Sequence, residues 1–129
     1  MRKLLIISLL TCLPFLSACA PAVLVAAAAG GTAIYWVNGE AESTVNTNMD
    51  TAWKASKTTF KNFNVSTTKE ESADSLQRRL EGTSPGGDKY TIRLKSIKED
   101  TTKIWVRVNT FGDKEKSARI FEEIRKHIP

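Results

Sequence analysis

The segment Gly82-Thr83-Ser84-Pro85-Gly86-Gly87-Asp88-Lys89 has the glycines and the lysine of a phosphate-binding loop. That chemistry needs backbone N–H groups around the phosphates, a lysine against them, a hydroxyl for magnesium and a helix to follow. Here Asp88 separates Gly87 from Lys89 and would repel phosphate. Tyr90 stands at the magnesium-ligand place, and a strand pattern follows. The segment reads as a hairpin turn. Glu70-Glu71 and Glu99-Asp100 have the residue types for glycoside hydrolysis. Both pairs are expected in solvated turns of a domain too small for a sugar cleft. His127 is the only histidine. A zinc site needs three or four ligands and a triad needs a placed base. One histidine in the last turn of a terminal helix is expected only to complement the helix dipole. No nucleophile elbow is expected. The chain is read as a non-enzyme with no cofactor and no metal.

A binding surface has more support. Opposite an apolar alternation lie Arg79, Arg93, Lys95, Lys103, Trp105 and Arg107. Arginine stacks on tryptophan, and a tryptophan among cations suits an anionic partner. Lipid headgroups, cell-wall polymers and an acidic protein all fit that chemistry. The competing reading is a solvated face with cationic stems covering Trp105.

The other reactive position is Cys19. Arg2 and Lys3 precede an apolar run from Leu4 to Leu13, and Leu16-Ser17-Ala18-Cys19 closes it. The run is too short for an ordinary membrane span and has the shape of a signal peptide. Its ending resembles a bacterial lipobox, in which the cysteine thiol carries a diacylglyceryl group. Cleavage before Cys19 leaves 111 residues, and the formal net charge falls from +5 to +3 with the loss of Arg2 and Lys3. Cys12 leaves with the signal, so no thiol remains for a disulfide, a metal or catalysis. Nucleic acid is not an expected partner of an exported chain with so small a charge. Stable anchoring takes about two acyl chains, and a diacylated, N-acylated cysteine exceeds that. Ala20, not Asp, follows Cys19, which resembles the sorting signal for release to the outer membrane. The localisation expected is the bacterial envelope, outer membrane, facing the periplasm.

The elements that position these residues follow from patterning. Of the 129 residues, 41% are hydrophobic and 26% charged, an ordinary globular balance. We divide the chain into a signal peptide (1–18), a lipidated cysteine with an Ala/Gly-rich tether (19–33) and one domain (34–129). The tether is expected to be a flexible or helical spacer broken at Gly30-Gly31. Its Ala22, Ala26 and Gly30 have a small-xxx-small spacing that an alanine-rich stretch meets easily.

In the domain, Ile34 to Val37 is β-prone and Asn38-Gly39 is a tight-turn signal. Ala41, Ser43 and Val45 suggest an edge strand. Asn48 is an N-cap for a helix with Met49, Ala52, Trp53, Ser56, Phe60 and Phe63 on one face. Strands are expected around Phe63–Thr67, Leu76–Leu80, Tyr90–Leu94 and Ile104–Val108, with Thr101 and Thr102 in a turn. Asp113 caps a last helix with Ile120, Phe121, Ile124 and Ile128 on one face. The fold class is α+β: an antiparallel sheet of about four to five strands with two helices packed on one face.

Several stretches together resemble a family of small bacterial lipoproteins known as domain of unknown function 3568. They are Leu16 to Cys19, the Ala/Gly run to Gly31, Tyr35-Trp36-Val37-Asn38-Gly39-Glu40 and the Trp53 helix. Arg107-Val108-Asn109-Thr110-Phe111-Gly112-Asp113 with Ser117 and Ile120 completes them. The resemblance implies an anchored envelope protein and transfers no catalytic residue. The function expected is a non-catalytic, membrane-anchored binding module that meets an envelope protein or anionic polymer through its sheet face. The alternative is a small-ligand or lipid-binding module with a pocket between helices and sheet near Trp53 and Phe60. Oligomeric state is left open.

Overall fold

The structure is a computed structural model that describes residues 22–24 and 33–129. The expectations for Cys12, the lipobox, Cys19 and Gly30-Gly31 lie outside the described residues. In chain order the elements are β1 (Ala22–Leu24), β2 (Ile34–Val37), β3 (Glu40–Val45), α1 (Met49–Asn62), β4 (Ser66–Asp74), β5 (Gln77–Thr83), β6 (Lys89–Lys98), β7 (Thr101–Val108) and α2 (Lys114–Lys126). The strands form one antiparallel sheet in the order β1-β2-β3-β7-β6-β5-β4.

The α+β class therefore holds, but the sheet is larger than four to five strands. Six strands follow Ile34, and Ala22–Leu24, inside the expected tether, adds a short seventh beside β2. The β3 strand is interior rather than an edge, because β7 closes its open side. That pairing joins the two ends of the domain sequence and leaves no local signal.

Local chemistry explains the connections. Asn38 and Gly39 both have positive φ, 51° and 79°, as a two-residue hairpin turn requires. Asn48 Oδ1 accepts from the Thr51 N–H at 2.8 Å and caps α1. Asp113 Oδ1 accepts from the Lys116 N–H at 3.0 Å and caps α2. From β3, α1 carries the chain across the sheet to β4, and β4 to β7 then meander back to β3.

Both helices cover the face bearing Leu80, Ile92, Leu94, Ile104, Val106 and Val108, all buried. Phe60 from α1 and Ile120, Phe121 and Ile124 from α2 complete the core. Phe60 meets Tyr90 edge-on with ring centroids 6.3 Å apart. Two polar residues also lie on the buried face of α1. Ser56 and Thr59 donate to the carbonyls of Ala52 and Ala55 at 2.8 and 2.9 Å, so neither hydroxyl is left unsatisfied.

Four further expectations shift. Trp53 is only partly buried, at the margin of the core, with the Arg78 guanidinium 5.7 Å from its ring centroid. Phe63 is the C-cap of α1 and not a strand residue; its N–H donates to the Thr59 carbonyl. Glu70 and Glu71 lie in β4, not in a turn, while Glu99-Asp100 alone forms the β6–β7 turn and Thr101 and Thr102 belong to β7. A nine-residue strand with every residue exposed shows no hydrophobic alternation to find. It is an edge strand protected by charge and by two register shifts, at Thr67/Lys69 and Ser72/Asp74.

Candidate sheet-face site

The uncovered face of the sheet brings the expected residues together. The ladders align Glu71, Arg79, Arg93, Trp105 and Glu42 across five strands. One row further on, Gln77, Lys95 and Lys103 align. Trp105 sits at the centre. Its Nε1–H donates to Glu42 Oε2 at 2.9 Å, and both the Arg93 guanidinium and the Lys103 ammonium lie 4.9 Å from its ring centroid. Each such contact contributes about 0.5–1 kcal/mol at an exposed site.

The cations do not form an open positive field. Arg93 Nη2 lies 2.6 Å from Glu40 Oε2, Lys103 3.6 Å from Glu42 and Arg79 Nε 2.6 Å from Glu81. Arg107 is a clamp more than a contact residue. It donates to the Asn38 carbonyl at 2.8 Å and the Thr110 carbonyl at 3.4 Å, with Nε buried 3.6 Å from Glu40 Oε1. Lys95 is exposed and has no ion-pair partner among the described residues. At the outer edge Lys69 and Glu71 pair at 2.6 Å. The hydrogen bond raises the lysine pKa and lowers the glutamate's, and both groups are exposed.

Sequence reasoning missed Glu40, Glu42, Glu71 and Glu81 on this face. Glu40 and Glu42 alternate with Ala41 and Ser43, a signal that places them on the outer face once β3 is known to pair with β7. Between β4 and β7 the face forms a groove of about 460 Å³, lined by Glu71, Arg79, Arg93, Lys95 and Trp105 among others. Near Trp53 a second depression opens at the β4 edge, beside Glu70, Glu71 and Arg78. Phe60, by contrast, is sealed in the core.

The catalytic patterns are placed as turns and caps. Ser84 to Asp88 is the β5–β6 turn, closed by Gly87 N–H to Ser84 carbonyl at 2.9 Å. Gly82-Thr83-Ser84-Pro85-Gly86 does spell the Gly-x-Ser-x-Gly pattern, which sequence reasoning overlooked. It joins two antiparallel strands, whereas an elbow leads from a strand into a helix. Pro85 also lacks the N–H that would follow the nucleophile in an oxyanion hole. His127 is the C-cap of α2, with Nε2 3.1 Å from Glu123 and 3.2 Å from Asn62. Hydrogen bonds from Asn62 and then His127 lower the Glu123 pKa. Among the described residues no group of three potential ligands could hold a metal ion, and no helix is long and apolar enough to cross a membrane.

Asp88 ties the β5–β6 turn to the β7–α2 turn and to α2. Asn109 Nδ2 donates to its Oδ1 at 2.8 Å and Lys116 Nζ to its Oδ2 at 2.7 Å. These bonds, Asn109's first, hold its carboxyl below the usual range. A depressed folded pKa gives stability that is present above the unfolded pKa and is lost as pH falls through the folded one. The melting temperature of the native protein should therefore fall more steeply than that of Asp88→Asn as pH drops below about 4. Parallel pH profiles would show that these bonds add nothing to stability.

The fold and this face define a class: a small two-layer α+β domain with helices on one side of its sheet and an open, mixed-charge surface on the other. The family model described as a protein of unknown function (DUF3568) matches residues 3–127, nearly the whole chain. The chain belongs to that family. No curated protein matches it.

Proposed function

We propose that the protein is a non-catalytic envelope lipoprotein, anchored through Cys19 to the outer membrane and facing the periplasm, whose open sheet face docks an envelope protein. The observation that carries the docking reading is the groove beside Trp105, where exposed Lys95 lacks a counter-charge among the described residues. Four carboxylates interleaved with the cations favour a protein surface with an acidic group for Lys95 over a uniformly anionic polymer. A polymer would meet Glu40, Glu42, Glu71 and Glu81 as well as the cations.

Lys95→Glu is the cleanest test. Reversal at Arg93 or Arg107 would also break their contacts with Glu40, whereas Lys95 supports no such contact. Crosslinking in intact cells should recover a recurrent partner with the native protein. Losing one charge-assisted contact and gaining a repulsion should cut that recovery about tenfold or more in Lys95→Glu. Equal recovery of the same partner from both would sink the docking reading.

A further inference from the structure

Phe111 is a large apolar side chain left 95% exposed. It lies in the β7–α2 turn, whose backbone touches the β2–β3 turn: a Cβ on Gly39 would stand 3.0 Å from the Phe111 carbonyl oxygen. The sheet register shows what else arrives at this end. Ala22 pairs with Trp36, and Leu24 with Ile34. Read from Leu24 back to Ala22, the chain runs toward the Asn38-Gly39 turn. Cys19 is three residues earlier, a reach of at most about 11 Å. The end that carries Phe111 is thus the end from which the anchor departs.

Charge at this end points the same way. The carboxylates at this end are all engaged: Asp88 by Asn109 and Lys116, Asp113 as the α2 cap, Glu40 by Arg93 and Arg107, and the exposed Glu115 by Arg119. Lys89 and Lys114 are exposed and have no ion-pair partner among the described residues. An exposed aromatic flanked by free ammonium groups matches the layered chemistry of a bilayer surface, with anionic headgroups outside and acyl chains beneath.

We propose that this end of the domain rests on the lipid bilayer, with Phe111 in the interfacial layer and Lys89 and Lys114 against anionic phospholipid headgroups. The inference rests on anchoring through Cys19. It also leaves the open sheet face standing off the membrane, accessible to a partner.

The test uses the full chain, expressed in cells and reconstituted into vesicles of phosphatidylethanolamine and phosphatidylglycerol. Phe111→Cys and Thr110→Cys carry an environment-sensitive fluorophore, and Glu99→Cys, in the turn at the opposite end of the sheet, serves as control. Mass spectrometry of the N-terminal peptide reads Cys19 acylation separately. With Cys19 acylated, a label at 111 should lose about half or more of its emission to acyl chains brominated near the headgroup, the depth of interfacial side chains. The label at 99 should lose none. Acylated Cys19 with an unquenched label at both 110 and 111 overturns the proposal while leaving the anchor intact. Unmodified Cys19 with a quenched label at 111 removes the anchor but upholds the bilayer contact. Unmodified Cys19 with no quenching removes both.

Discussion

Replacing Gly112 with alanine should cost about 3 kcal/mol or more of stability, near the severe end for a single methyl group. Gly112 has φ of +79°, where a side chain costs about 1–2 kcal/mol. Its added Cβ would also collide with the Gly39 carbonyl oxygen and lie 2.8 Å from the Gly39 Cα. Both neighbours are backbone atoms of a tight hairpin turn, so no side chain can swing aside. Moving that turn would disturb the Asn38 carbonyl that Arg107 binds, and through Arg107 the Glu40 contact on the open face. Urea unfolding would measure the loss. A change below about 1 kcal/mol would mean that the two turns are not locked together in solution.

Phe60→Ala is the second large effect, expected at about 4 kcal/mol by loss of burial and creation of a cavity. Phe60 is 1% exposed. It lies over Gly82, where a Cβ would come within 2.8 Å of its ring, and edge-on to Tyr90. Since Gly82 has no side chain to move into the space, the hole would not collapse readily. Trp53→Ala should cost less, about 2 kcal/mol, because the indole is partly solvated and packs at the core margin. The two variants compared in one denaturant titration separate core from margin. A larger loss at Trp53 than at Phe60 would overturn this account of the packing.

That comparison marks how far the sequence could be read. Helical spacing placed Trp53 and Phe60 on one face of α1, and they do share it. Periodicity gives a direction about the helix axis but not the depth of the surface it meets. Phe60 falls over Gly82 at the centre, whereas Trp53 reaches the β4 edge beside Arg78.

Much of the rest was local and therefore legible. Asn48 and Asp113 cap their helices because a short polar side chain can reach the free N–H groups of the first turn, a contact within three residues. Asn38-Gly39 turns because those residues tolerate positive φ. Alternation in Tyr90–Leu94 and Ile104–Val108 put Arg93, Lys95, Lys103 and Trp105 on one open face, and the structure brings them together there. The family was legible in the order of its short motifs.

What only the tertiary structure decided was which strands become neighbours. The β3–β7 pairing joins positions some sixty residues apart, and no local pattern encodes it. That pairing carries Glu40 to Arg93 and Arg107, and Glu42 to Lys103 and Trp105, turning an apparent cationic patch into a mixed-charge surface. It also sets Gly112 against Gly39 and so presents Phe111 at the end of the sheet from which residues 22–24 lead back toward Cys19. Residue types and alternation determine what each strand offers to its two faces, but charge balance across a face depends on the neighbours, and those are fixed by long-range pairing.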